Sequence, residues 1–590
     1  MYGLIFQEKY FIMNKATLPL AFSELDRYNL EAELLIESGL PAFELRRIDG
    51  KTIIAAPDDA ELLYGVYDYA ERFCGWSFFE PGRDKFDEKL VKVLPDNGII
   101  YPAVKPRLKR RGFIQEFPFD DETPELFDWM AKNKLNYLLV WMKYYDELSD
   151  ELKDFAAARN IAIESGHHNF NYWIPGTKYH HDHPEFFAEI NGKRIDAGVQ
   201  KNDLLLSEQL CTTNPELRQE IVKNMLQYCR KNPEINTISL NPNDGFGWCE
   251  CENCSKFYDR NKKGDFYSLS EHVYKADRIY HDLLGDVANQ LAQKRQDLQL
   301  TFFAYVNYCS PAPGFKLQEN LAVHLALYWR CINHLINDPS CPVNKHYVQD
   351  IRNWVNAKAG GEVNIYEYYM GVNFYFSLPM IHFEEMFSEM QFYADEGVDG
   401  ILTQFHISHW SVYGMNYALM ARAARGEKCS EALETLYIER FGCDAEKGKA
   451  FYKYIKNMLL NMGSCHIPYP YALFSRTKRE DFEKISELAK ELSGNAPACN
   501  FRKDLVIWAE YMLKFKTLFD NYHAGILSEI MLDEFLEWIE AQKNTRVFVK
   551  QKYQLYFRAL RECLRTGKMW LHFNLDWEDE YIRKQAATIL

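Results

Sequence analysis

From about residue 108, short apolar runs alternate with segments whose apolar positions recur at helical spacing. The run at 112–116 precedes a helical stretch at 126–131. Further runs follow at 137–141, 161–165, 237–240, 298–305, 321–327, 362–368 and 400–405, with a helix expected over 148–159. Eight strands with intervening helices predict an α/β fold, a (β/α)8 TIM barrel over residues 106–428. Upstream, residues 1–105 read as a small α/β domain. Strands are expected at 18–22 and 52–56, and a helix at 58–73 that begins with acidic residues. From 429 to 590 the period is helical, as at 451–460 and 505–513, which predicts a C-terminal α-helical domain.

Composition narrows the function classes. The chain has 590 residues, 47% apolar and 26% charged, as in soluble globular proteins, and it is too long for a single core. Aromatic content of 15%, with 38 Tyr and 12 Trp, suits a protein that stacks rings on sugar faces, although an aromatic-rich core would give the same figures. A net charge of −15 argues against nucleic acid or an anionic membrane as partner. No apolar run approaches the length of a membrane span. The start of the chain lacks the pattern of a signal peptide, and 14 scattered cysteines suit a reducing compartment, so a cytoplasmic location is expected.

The fourth strand carries the first chemical candidate. It breaks into Asn241-Pro242-Asn243-Asp244-Gly245, which must form a loop. Asp244 therefore stands just past a strand end, where barrels collect catalytic groups. An Asp in such a sequence is by itself a turn former; its place on strand four is what favours chemistry. Glu367, at the end of strand seven, is the expected partner carboxylate, although a half-buried structural Glu between tyrosines would look the same. Two carboxylates about 5 Å apart serve retention, and a wider separation serves inversion. Other strand ends offer Arg111, Gln115 and Glu116 on strand one, His167 and Asn169 on strand three, and Tyr305 on strand five. Trp329 follows strand six, Tyr368 lies on strand seven, and Gln404 and Trp410 follow strand eight. Trp329, Tyr368, Tyr369 and Trp410 are expected as stacking faces, and Arg111, His167, Asn169 and Gln404 as hydroxyl binders. A non-catalytic sugar-binding barrel would use the same inventory.

Neither His167-His168 nor the cysteines point to a catalytic metal. Adjacent histidines on a strand project to opposite faces, which suits hydroxyl recognition better than chelation. Cys249-x-Cys251-x-x-Cys254 can hold a structural zinc if Cys211, Cys331 or Cys341 supplies a fourth ligand; reduced thiols closing a loop are the alternative. No cofactor is expected for catalysis.

Several segments are shared with known carbohydrate-active proteins. Leu63-Tyr64-Gly65-Val66-Tyr67, Gly75-Trp76 and Pro81-Gly82 resemble the small N-terminal domain of α-glucuronidases and β-hexosaminidases. Met130-Ala131-Lys132-Asn133-Lys134-Leu135-Asn136 resembles the entry to strand two of their barrels. His183-Pro184-Glu185-Phe186-Phe187, Gln209-Leu210-Cys211-Thr212-Thr213-Asn214-Pro215, Asn243-Asp244 and the cysteine run resemble a narrower group. So do Trp329-Arg330-Cys331, His334, Asp338-Pro339, Cys341-Pro342 and Asn344. That group is the family of domain of unknown function 4838, which includes glycoside hydrolase family 163. The resemblance implies a barrel hydrolase of β-linked glycans, and within family 163 an endo-β-N-acetylglucosaminidase. It also suggests substrate assistance, with Asn243 orienting a 2-acetamido group beside Asp244; a covalent nucleophile at Glu367 is the alternative. An inverting, α-glucuronidase-like hydrolase remains open.

Overall fold

A computed structural model describes residues 17–194, 209–244, 247–258, 275–328, 330–370, 376–462, 470–494 and 500–574. All eight expected barrel strands form: β1 Arg110–Gln115, β2 Tyr137–Trp141, β3 Ala162–Gly166, β4 Thr237–Ser239, β5 Gln299–Ala304, β6 Leu321–Ala326, β7 Glu362–Glu367 and β8 Gly400–Gln404. They close in the order β4-β5-β6-β7-β8-β1-β2-β3. Every neighbouring pair is parallel.

The seam between β3 and β4 is the thinnest, with a single registered pair, Ile238 and Ser165. Side chains complete it. Asn169 Nδ2 donates to the Ser239 carbonyl and to Ser239 Oγ, both at 2.8 Å, while its Oδ1 accepts from the Asn241 amide at 2.7 Å. An asparagine amide carries one acceptor and two donors, so it can substitute for missing ladder bonds.

Strand alternation sorts the side chains. On β7, Tyr366 points into the barrel, where its hydroxyl donates to Glu116 at 3.0 Å. Glu367 therefore points outward, towards helix α1, Phe383–Glu396. Lower in the barrel, buried Glu164 accepts from Tyr137 Oη at 2.7 Å and from Thr301 Oγ1, with His324 Nε2 at 2.8 Å. Gly112 belongs to this inner face: a Cβ there would collide with the Tyr137 carbonyl oxygen.

The N-terminal segment corrects one expectation. Residues 18–22 are not a strand but part of a helix, Thr17–Arg27. Buried Ala21, Glu24 and Leu25 recur at helical spacing, and Pro19 falls in the first turn, where its missing N–H costs nothing. The helix at Asp59–Phe73 forms as expected, capped by Asp58, which accepts from the Glu61 amide. The second helix packs on a four-stranded sheet and the first packs on the second, and Leu45, Ile54, Leu63 and Tyr67 share a hydrophobic cluster separate from the barrel's.

Past the barrel the chain is helical, including α2 Trp410–Arg425, α3 Asn500–His523 and α4 Lys550–Thr566. These helices grip the loop after β7. Trp508 Nε1 donates to the Ser377 carbonyl at 2.7 Å, Tyr511 Oη to the Phe376 carbonyl at 2.6 Å, and Tyr553 Oη to Ser377 Oγ at 2.6 Å. Among the described residues no helix is long and apolar enough to cross a membrane.

Candidate active site

The C-terminal mouth of the barrel is built by the inward members of each strand end. Glu116 follows β1 and accepts from Tyr366 Oη at 3.0 Å and from Gln404 Nε2, with His167 Nε2 3.4 Å away. Burial pushes the Glu116 carboxyl up, but the approach of His167 and the hydrogen bonds from Gln404 and Tyr366 outweigh it and hold the pKa below the ordinary value. These three partners are an imidazole, an amide and a phenol, so polar groups solvate its charge.

Aromatic rings wall this carboxylate. Trp141 stacks on His167 with centroids 4.0 Å apart, and Tyr366 stacks on Tyr368 at 4.8 Å. Tyr305, Tyr328 and Tyr368 meet edge to face. His167 adopts φ +68°, a left-handed backbone that only a minority of non-glycine residues take, and this turns the chain just past β3. His168 is half-buried, its Nδ1 sits 2.6 Å from the Pro242 carbonyl, and desolvation lowers its pKa to about 4, so it is neutral near pH 7. Both Asp244 and Glu116 oppose that shift, which places the two carboxylates within electrostatic reach of one ring. Asp244 also acts on Tyr305 and Tyr308, raising both phenols after burial has done so. From the C-terminal helices, Lys552 comes within 5.0 Å of the Phe117 ring and into the field of Glu116, as does Tyr556.

Of the expected site residues, Asp244, His167, Tyr305, Tyr368 and Gln404 stand at this mouth. Glu367 does not face it. Its Oε1 pairs with Arg330 Nη1 at 2.5 Å and accepts from Tyr393 Oη at 2.6 Å, in a cluster between β7 and α1. Arg330 also pairs with Glu389, which in turn meets His382 Nε2 at 3.0 Å and Tyr369 Oη at 3.2 Å. All of these side chains are buried.

Four other expectations are corrected. Arg111 opens β1 instead of ending it, and its guanidinium donates to the Leu108, Lys109 and Lys134 carbonyls at the opposite end of the strand. Burial pushes its pKa down to about 10. Trp410 is buried against Trp129 and donates through Nε1 to the Phe79 carbonyl at 3.1 Å, joining the barrel to the N-terminal segment. Asn169 is committed to the β3–β4 seam. Asn243 braces two loops: its Oδ1 accepts from the Asn171 amide at 3.1 Å and its Nδ2 donates to Asn171 Oδ1 at 2.9 Å. Trp329 lies outside the described residues. Glu116, by contrast, emerges as the mouth's central carboxylate, and the signal for it was strand parity. Counting two by two from inward Gly112 reaches Glu116, and from inward Asn364 reaches Tyr366 and Tyr368, leaving Glu367 outside.

Residues 101–445, which carry this barrel and its mouth, match the family described as domain of unknown function (DUF4838). The chain belongs to that family. No curated protein matches it. Among solved structures, a family GH115 4-O-methyl-α-glucuronidase with specificity for decorated arabinogalactans superposes with TM-score 0.54 at 12% identity, covering 96% of this chain and 77% of that one. A family 89 glycoside hydrolase from Clostridium perfringens, in complex with PUGNAc, gives 0.48 at 13% identity, with 97% and 74% covered. A β-N-acetylhexosaminidase from Bacteroides fragilis gives 0.43 at 15%, with 71% and 87% covered. The first of these likenesses shows the fold. The DUF4838 match spans every barrel strand and every strand end described above.

The DUF4838 chain also gathers cysteines. Cys211, Cys249, Cys251 and Cys254 bring their sulfurs within 4.8 Å of one another, and Cys331, His334 and Cys341 form a second group on the loop after β6. None of these cysteines is in a disulfide. Three members of the first group follow Asp244 in the chain, and Cys211 joins them from the segment that precedes residue 215.

Proposed function

We propose that this protein is a retaining glycoside hydrolase of β-linked glycans, with Glu116 as nucleophile and Asp244 as acid/base. The observation that carries the reading is an ionised, inward-facing Glu116, hydrogen-bonded by Tyr366 and Gln404, in an aromatic-lined barrel mouth it shares with Asp244. Glu116 attacks the anomeric carbon while Asp244 protonates the departing glycosidic oxygen. Water, deprotonated by Asp244, then displaces the glycosyl group from Glu116, and both carboxyls return to their starting states. Tyr366 and Gln404 hold Glu116 in its ionised, oriented form, and Tyr305, Tyr328 and Tyr368 supply apolar faces for the sugar rings.

N-acetylglucosaminides are the first substrates to try, since the motifs around Cys211, Asn243 and Arg330 resemble those of family 163. The adjacent Asn243-Asp244 pair favours a second reading in which the substrate's acetamido oxygen attacks. Against it, the Asn243 amide is already engaged with Asn171. A panel of aryl β- and α-glycosides and free glycans, assayed with wild type and Asp244→Asn, tests the proposal. A β-glycoside hydrolysed with retention at the anomeric carbon, and far more slowly by the variant, is expected. Inversion, or turnover confined to α-glucuronides, would overturn it.

A further inference from the structure

The Cys249–Cys254 run crosses a second polypeptide segment, residues 209–214, and four thiols meet at that crossing. Cys211 Sγ lies 3.7 Å from Cys251 Sγ and 3.8 Å from Cys254 Sγ, and Cys249 completes the group. A tetrahedral zinc with Zn–S bonds of about 2.3 Å sets its sulfurs about 3.8 Å apart. We propose that Cys211, Cys249, Cys251 and Cys254 bind one structural zinc ion, and that this ion positions Asp244.

The surroundings are those of thiolates. The Glu189 amide donates to Cys249 Sγ at 3.3 Å, and Arg194 Nη1 lies 3.6 Å from the same sulfur. Thr213 Oγ1 lies 3.1 Å from Cys254 Sγ. Donors of this kind offset the charge of a sulfur-rich zinc centre and fix its ligands. The four residues supply no open position, so the ion would hold structure and not take part in chemistry.

The link to Asp244 runs through Gln209, two residues before Cys211. Its Nε2 donates to the Asn243 carbonyl at 2.7 Å, its Oε1 accepts from the Asn243 amide at 2.9 Å, and its own amide donates to the Gly247 carbonyl at 2.9 Å. Gln209 thus grips the backbone on either side of Asp244, and the thiol crossing anchors Gln209. Removing the ion releases the two segments from each other at that crossing.

Elemental analysis of the purified full chain tests the site. One equivalent of zinc is expected in wild type, and almost none in Cys211→Ser/Cys254→Ser. Because that variant could fail to fold, wild type is also stripped with a strong chelator and titrated with Co²⁺. Strong visible absorption and sulfur-to-cobalt charge transfer from a four-thiolate site, reversed by zinc, are expected. A lowered melting temperature should accompany stripping and recover on adding zinc. A wild-type protein that carries no zinc and binds neither ion would overturn the site. So would one equivalent that survives the double substitution but is lost in Cys331→Ser/Cys341→Ser. Asp244 positioning has its own readout: partial stripping should lower kcat on any substrate of the enzyme in proportion to zinc lost while KM stays near its starting value. Unchanged kcat in fully stripped, folded protein would overturn the positioning role.

Discussion

Glu116 and Glu367 both end barrel strands, both are largely buried, and both hold a tyrosine hydroxyl, yet their surroundings differ in kind. Glu367 is paired with a guanidinium at 2.5 Å, and the second carboxylate on that guanidinium, Glu389, is itself tied to His382 and Tyr369. Every charge in the cluster has a fixed partner, and a carboxylate so neutralised is a poor nucleophile. Glu116 is held by a phenol, an amide and a nearby imidazole, while Lys552 approaches its field from a different helix. Such donors keep a carboxylate ionised while leaving its charge available to a developing cation. The pair teaches that position at a strand end is insufficient: the parity of the residue and the charge of its partners decide whether it does chemistry or packing.

The largest expected difference separates the two amide substitutions. Glu116→Gln should lower kcat/KM by about 10³-fold or more with the fold intact, as removal of a group acting on the reacting atoms does. Circular dichroism and a melting curve beside the kinetics would check it, and a fully active Glu116→Gln would dissolve the contrast. Glu367→Gln should instead cost about 1.5–3 kcal/mol of stability, because Arg330 and Tyr393 lose a charged acceptor while Arg330 keeps Glu389, and activity per folded molecule survives. Denaturant unfolding of the two variants reads this directly.

A smaller effect concerns His168, which lies in the field of both Asp244 and Glu116. Its folded pKa of about 4 lies below its ordinary value, so the unfolded chain takes up the proton first. Its contribution to stability is present above pH ~6.5 and is lost as pH falls towards ~4, about 1.4 kcal/mol per pH unit. His168→Asn, in which the amide can still donate to the Pro242 carbonyl, should flatten that part of the pH dependence of unfolding by about 2 kcal/mol between pH 7 and 5. An unchanged slope would mean the ring is solvated. An effect of similar size is expected for Tyr366→Phe. Losing a hydroxyl that donates to a charged group costs about 1.5–3 kcal/mol of that interaction. Glu116 then ionises less readily, so the acid limb of the pH–rate profile moves up by roughly one to two pH units, and activity falls roughly tenfold to a hundredfold on that limb while little changes near neutrality.

The barrel was legible because both its strand lengths and its helix periods are local properties of the chain. The first helix was misread because Leu18-Pro19-Leu20-Ala21-Phe22 is short and apolar on its own, and its helical period appears only when Glu24 and Leu25 are included. The site was legible as a set of strand ends but not as a set of directions. Asp244, Tyr305 and Gln404 stood where expected, whereas Arg111 sat at the wrong end of β1 and Trp410 faced the N-terminal segment. Asn169 and Asn243 were consumed by loop bracing, which depends on backbone groups far away in sequence. Glu367 drew attention through its place at the end of strand seven, but its partner Arg330 is shared with Glu389, on a helix that the strand pattern does not address. The fourth cysteine was among three candidates, and only the crossing of two loops selected Cys211.

The central claim, that Glu116 and not Glu367 attacks the sugar, is tested most directly by covalent trapping. The 2-deoxy-2-fluoro analogue of whichever β-glycoside the enzyme cleaves, carrying a good leaving group, should inactivate it by forming a stable glycosyl ester, and mass spectrometry of the digested protein should place the added sugar on Glu116. A label on Glu367 would contradict the account, and so would an enzyme that turns over the parent glycoside yet is never trapped.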